Sequence, residues 1–167
     1  FVNADTMITQ LRPLLDHNNM QYYGAMQAYF TLNEIDGSLY SREQHDVFVK
    51  KPKSTTTDGD ITRRRMILVD LDPARAASMS ASNDEFEKAH LKAVAVYRYV
   101  MKEGCKEPII TQSGNGYHLY IPCDMPNDEE HNELVKRFLQ SLSNMFSGDG
   151  VDIDEKVFNP ARIDKLI

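Results

Sequence analysis

Three carboxylates and one histidine have the types and spacing for chemistry. Asp70 and Asp72 close the apolar run that begins at Met66. Their i, i+2 spacing puts both side chains on one face of a strand. Neighbouring carboxylates repel, and burial raises the cost. A bound divalent cation, Mg2+ or Mn2+, is the common remedy for oxygen ligands; a plain turn opening at Asp72-Pro73 fits the same residues. His118 follows Ser113-Gly114-Asn115-Gly116-Tyr117. Glycine there lets backbone approach a ligand, Ser113 and Asn115 offer hydrogen bonds to phosphate, and an imidazole can donate to a phosphate oxygen. The alternative is a hairpin with a half-exposed histidine. Asp154, with Asp152 two residues before it, precedes Asn159-Pro160-Ala161-Arg162 and Lys165. The two cations suit a triphosphate, or else decorate an Asn-Pro turn.

The elements that must position these groups follow from periodicity. Met66–Leu71 reads as a buried strand. Ser82-Asn83-Asp84-Glu85 is a capping box that opens a helix to about Glu103, with Gly104 as its stop. Pro108–Gln112 and Tyr117–Ile121 read as strands joined by an Asn115-Gly116 turn. Asn127 with Glu130 predicts the cap of a second helix, whose apolar face runs from Leu134 to Phe146 and which Gly148 ends. Val151–Phe158 reads as a last extended piece. Strand, helix, strand, strand, helix, strand is the order of an α+β, ferredoxin-like or RRM-like βαββαβ core. Such a sheet sets its first strand between the third and fourth, so Asp72, His118 and Asp154 fall at one end of three adjacent strands. Together they describe metal-assisted phosphoryl or nucleotidyl transfer with two ions.

The N-terminal part is less regular. A short helix within Thr6–Leu15, strands over Ala25–Leu32 and Asp46–Val49, and a loop over Lys53–Asp60 are expected. Residues 1–62 thus read as a small N-terminal α/β lobe of the same domain, and residues 63–167 as the catalytic core. The 167 residues, 41% hydrophobic and 26% charged, suit one globular domain. No apolar run reaches the roughly 18 residues of a membrane span. A net charge of −6 argues against a protein that coats DNA, although Lys50, Lys51, Lys53 and Arg63–Arg65 gather positive charge locally. The two cysteines, Cys105 and Cys123, cannot make a zinc site alone and suit a reducing, cytoplasmic compartment. The chain opens on Phe1 and is expected to be a piece of something longer. It has no Gly-rich Lys-Ser/Thr loop of a helicase ATPase.

Ile67-Leu68-Val69-Asp70-Leu71-Asp72-Pro73, Ser113-Gly114-Asn115-Gly116-Tyr117-His118 and Asp154 through Ile163 resemble, in order and spacing, the three motifs of the archaeo-eukaryotic primase superfamily. They look most like the primase-polymerases of phages, plasmids and other mobile elements. The resemblance covers roughly residues 25–167. It implies template-directed addition of nucleotides, dNTP or NTP, on single-stranded DNA, in the cytoplasm of a bacterium or phage-infected host. It implies Asp70, Asp72 and Asp154 as ligands of two Mg2+ or Mn2+ ions. Ser113, Asn115, Gly116, His118, Asn159, Arg162 and Lys165 would hold the incoming nucleotide, and Arg63, Arg64 and Arg65 would face template phosphates. It also implies truncation at both ends and a helicase, in the same polypeptide or in trans. The competing reading is a non-catalytic RRM-like module that stacks single-stranded bases on Tyr117 and Tyr120.

Overall fold

A computed structural model describes residues 4–15, 28–41, 47, 54–75 and 79–165. The expected strand at 46–49 (Val47 apart), the start of the one at 25–32, and Lys50, Lys51 and Lys53 lie outside these residues. The elements in chain order are α1 (Ala4–Leu15), β1 (Tyr29–Thr31), β2 (Glu34–Ile35), β3 (Ile61–Pro73), α2 (Asn83–Lys102), β4 (Ile109–Gln112), β5 (Tyr117–Pro126), α3 (Glu129–Phe146), β6 (Val151–Ile153) and β7 (Ile163–Lys165). The fold is α+β, with an antiparallel main sheet and a separate β1–β7 ribbon. No helix among the described residues is long and apolar enough to cross a membrane.

β3 organises the sheet. It is longer than its apolar run because the Arg63–Arg65 stretch also pairs, against Pro126 and Met125 of β5. One edge of β3 carries β5, with β4 outside it. The other edge carries β2 at the N-terminal end and β6 at the C-terminal end. Alternation along the strands then sorts side chains by face. Val69 and Leu71 of β3, Leu119 and Ile121 of β5, and Val151 and Ile153 of β6 are buried in the main core. Against them pack Ala89, Ala93, Val96 and Val100 of α2 and Val135, Leu139 and Leu142 of α3. Both sets repeat at intervals of three and four, the apolar stripe of a core-facing helix.

The helix ends explain why the segments start where they do. Ser82 caps α2 through a reciprocal capping box with Glu85, as its sequence predicts. The second cap differs from the expectation. Asp128, not Asn127, accepts the His131 N–H at the start of α3. Asn127 instead donates to the carbonyls of Asp58 and Ile61, tying a 3-10 turn at Asp58–Asp60 to the β5–α3 junction. The extended piece expected over 151–158 is strand only as far as Ile153.

Opposite the helices, the sheet is covered by the β1–β7 ribbon. Phe30 lies against Tyr120, with ring centroids 6.3 Å apart, and its register partner Asp164 is buried on the same side. Asn33 fixes the ribbon's approach. It is buried, donates to the Pro160 carbonyl at 2.8 Å, and accepts from the Arg65 and Met66 amides at 2.8 and 3.0 Å. Asn33→Ala leaves those groups without their partner, at about 1–3 kcal/mol for each one left dry. Urea unfolding should show a midpoint lowered by at least ~2 kcal/mol of stability at an unchanged slope. An unchanged midpoint would show that Asn33 does not hold the ribbon.

Candidate active site

The register of β3 brings the expected acids and the histidine onto the ribbon-covered face. Asp70 stands directly opposite His118 across the β3–β5 pair. Asp72 stands opposite Asp152 across the β3–β6 pair. One residue past β6, the Asp154 amide donates to the Asp70 carbonyl at 3.0 Å, which continues that register. By alternation, His118, Asp70 and Asp154 form a row across three adjacent strands, with Asp72 and Asp152 a step further along.

Gly116 sets how closely the β4–β5 turn approaches this row. A Cβ there would collide with the Leu71 carbonyl oxygen and stand 2.7 Å from Asp72 Oδ1. The turn is closed by its own bonds. Ser113 N–H donates to the Gly116 carbonyl, and Gly116 N–H donates to Ser113 Oγ at 3.2 Å. Asn115 Oδ1 accepts from the Ala81 amide at 3.2 Å, joining the turn to the segment before α2. Ser113 and Asn115 thus have structural partners as well as any ligand role.

His118 is buried between two carboxylates. Its Nδ1 is 2.8 Å from Asp164 Oδ2, and its Nε2 is 3.2 Å from Asp70 Oδ1. Tyr120 O–H donates to the same Asp164 oxygen, and the Lys165 amide donates to Asp164 Oδ1 at 2.7 Å. Burial pushes the His118 pKa down, but Asp164 and Asp70 outweigh it and raise the value to about 9. Burial pushes the Asp164 carboxyl up, and its bonds from His118 and Tyr120 more than reverse this, so its pKa is lowered. Tyr120 is raised, by burial first and Asp164 next. Asp72 is raised by burial and then by Asp70, with Arg75 and His118 opposing and Asp154 adding to the rise.

Among the described residues, no three Asp, Glu, His or Cys side chains are gathered closely enough to enclose a metal ion as they stand. The donor set nevertheless fits a hard cation. Asp70 Oδ1 is buried and has no hydrogen-bond partner, since its contact with His118 is an ion pair without hydrogen-bond alignment. Asp72 is raised by burial and by the neighbouring Asp70, against the opposing charges of Arg75 and His118. Asp154, exposed, accepts the Lys156 amide through Oδ1 at 2.8 Å. Beside it, a cleft of about 360 Å³ is lined by Ser143, Ser147 and residues 152–156.

Other expected residues are placed elsewhere. Alternation along β7 turns Asp164 inward and leaves Lys165 exposed, away from the row. Arg162 donates to the Lys156 carbonyl at 2.9 Å, and the Asn159 carbonyl accepts the Arg162 amide, so this segment is a closed turn. The expectation that Arg63, Arg64 and Arg65 all face a template is corrected at Arg64. Arg64 is 2% exposed and donates to Asn132 Oδ1 and the Phe158 carbonyl. Arg63 pairs with Asp124, and Arg65 with Glu34 and Asp124. At 3.3–3.4 Å per residue, Arg65 lies about 17 Å along the strand from Asp70. The tyrosines of β5 offer no open stacking platform. Tyr120 is buried under the ribbon, and Tyr117 packs on Phe86 and His90 of α2. Sequence reading missed Asp164 and Arg75; the only signal for Asp164 was a lone acid between Ile163 and Lys165 in a segment too short to show periodicity.

Gly116→Ala should lower stability by about 1–3 kcal/mol, read as a drop in Tm, because the added carbon strikes backbone that cannot swing aside. His118 gives a pH signature in the presence of a chelator. Its folded pKa of about 9 exceeds the roughly 6.5 of an unfolded histidine. Protonation therefore stabilises the fold, by at most about 3 kcal/mol. That contribution is whole below pH ~6.5 and is lost as pH rises towards 9. The stability gap between the native chain and His118→Gln should narrow over this interval. Parallel curves would show that His118 is not held as the imidazolium.

No family model, no curated protein and no solved structure matches this chain.

Proposed function

We propose that this chain is the catalytic part of a template-dependent nucleotidyltransferase, a primase-polymerase that adds nucleotides on single-stranded DNA. The observation that carries the reading is the row His118–Asp70–Asp154 across three adjacent strands, with Asp72 one step along β3. Supporting it is the adjacency of β4, β5, β3 and β6 in an antiparallel sheet with α2 and α3 on one face, which is compatible with a ferredoxin-like core to which β2 adds. The covered tyrosines count against a base-stacking module without chemistry.

In the proposed reaction, a primer 3′-hydroxyl oxygen bonds to the α-phosphorus of the incoming triphosphate, and the bond to pyrophosphate breaks. Asp70, Asp72 and Asp154 would hold two divalent cations, which supply positive charge to the triphosphate and lower the pKa of the attacking hydroxyl. His118, protonated and anchored through Nδ1, donates from Nε2 to a phosphate oxygen. The Ser113–Gly116 turn brings backbone close to the same end of the sheet. Arg75, close enough to lower the Asp72 pKa, adds positive charge at the mouth of the site.

Calorimetric titration of deoxynucleoside and ribonucleoside triphosphates, with and without Mn2+, tests the reading. Metal-dependent binding is expected, weakened at least ~10-fold by Asp70→Ala and by His118→Ala. Binding indifferent to the metal and to Asp70→Ala would remove the reading. Affinity for single-stranded DNA with none for triphosphate would favour the binding module.

A further inference from the structure

Asp164 belongs to none of the motif segments that suggest catalysis, yet it makes the closest contact to the histidine. It reaches the site from the opposite side, as the inward-facing residue of a three-residue strand in the ribbon. It is 6% exposed. Its Oδ2 meets both His118 Nδ1 and the Tyr120 hydroxyl, and its Oδ1 accepts the Lys165 amide. Asp164, its pKa lowered, is ionised, and an ionised carboxylate carries no hydrogen and can only accept. Tyr120 O–H must therefore donate to it, and the nitrogen facing it must be N–H. That fixes the other ring nitrogen, Nε2, on the side of Asp70. The arrangement is the one by which a carboxylate sets the tautomer and plane of an imidazole that acts through its far nitrogen.

We propose that Asp164, braced by the Tyr120 hydroxyl, is a positioning residue that keeps His118 protonated at Nδ1 and presents its Nε2 edge to the carboxylate row. The role in nucleotide binding rests on the nucleotidyltransferase reading; the role in orienting the ring does not. Phe30, the register partner of Asp164, packs against the Tyr120 ring, so the ribbon delivers the carboxylate and clamps its brace together. The site then depends on two pieces of chain far apart in sequence, β5 for the imidazole and β7 for its anchor.

The test is nitrogen NMR of the His118 ring in the 167-residue chain, at one fixed pH and with chelator present. The variants are Asp164→Asn and Tyr120→Phe, with Ile163→Ala on the exposed side of β7 as the control. The native ring should show a protonated Nδ1. Asp164→Asn should move the Nδ1 resonance, Tyr120→Phe should move it less, and Ile163→Ala should leave it in place. In a parallel calorimetric arm, Asp164→Asn should weaken Mn2+-dependent triphosphate binding about 10–100-fold, the usual effect of losing a partner behind a ligand-contacting group. If Asp164→Asn does not fold, Tyr120→Phe decides alone, through the same resonance. An Nδ1 resonance unmoved by these changes, or an unprotonated Nδ1 in the native chain, overturns the proposal. Ring resonances that respond as expected in a chain that binds no triphosphate uphold the positioning role and overturn the nucleotidyltransferase reading instead.

Discussion

An imidazole taken out of water tends to lose its charge, and two carboxylates brought together tend to gain protons. His118 and its neighbours reverse the first tendency and relieve part of the second. Asp164 on Nδ1 and Asp70 beside Nε2 hold the ring charged, while the ring offsets part of the repulsion along the acidic row. Three separate features of the fold must agree for this to occur. The β3–β5 register has to set Asp70 against His118, the turn at Gly116 has to approach the end of β3, and the β1–β7 ribbon has to deliver Asp164 from above. A slip of one residue in β5 would turn His118 towards the helices and Leu119 towards the acids.

The compensation is incomplete, and that is informative. Asp70 Oδ1 lacks a hydrogen-bond partner, and burial and Asp70 raise the Asp72 pKa in spite of Arg75 and His118. Residues chosen for stability alone would not gather acids in this state, because partly desolvated carboxylates side by side cost free energy that neutral side chains would not. Frustration of this kind gathers at functional sites. The cap of α2, the β4–β5 turn and the apolar stripes of α2 and α3, by contrast, agree with the fold around them.

That contrast also explains what was legible in the sequence. α2 could be read to within a residue or two because its cap is a local exchange between Ser82 and Glu85 and its stripe spans twenty residues. The hairpin turn and the buried run of β3 were legible for similar reasons. Strand order placed Asp72, His118 and Asp154 at one end of the sheet, but only the register shows that Asp70, not Asp72, stands level with His118 and Asp154. Asp164 was not legible, because its importance comes from a contact with His118 46 residues away, and three residues of strand carry no period. Arg64 read as surface charge because an arginine in a run of three is normally solvated; only the tertiary structure supplies Asn132 and the Phe158 carbonyl. The cap of α3 was misplaced by one residue because Asn127 and Asp128 are both good caps, and Asn127 was drawn to the carbonyls of Asp58 and Ile61.

The divided edge of β3 has a consequence of its own. β2 pairs with its first residues and β6 with its last, and between them lies a stretch of edge with no strand beside it among the described residues. Open edges of that kind recruit strands from other molecules and seed aggregation. Here the side-chain oxygen of Asn33 takes the amides of Arg65 and Met66, and the Asp154 amide takes the carbonyl of Asp70. A single asparagine and one backbone amide thus imitate the missing strand. Those amides and that carbonyl are already engaged, and an incoming strand would have to displace their partners to pair there.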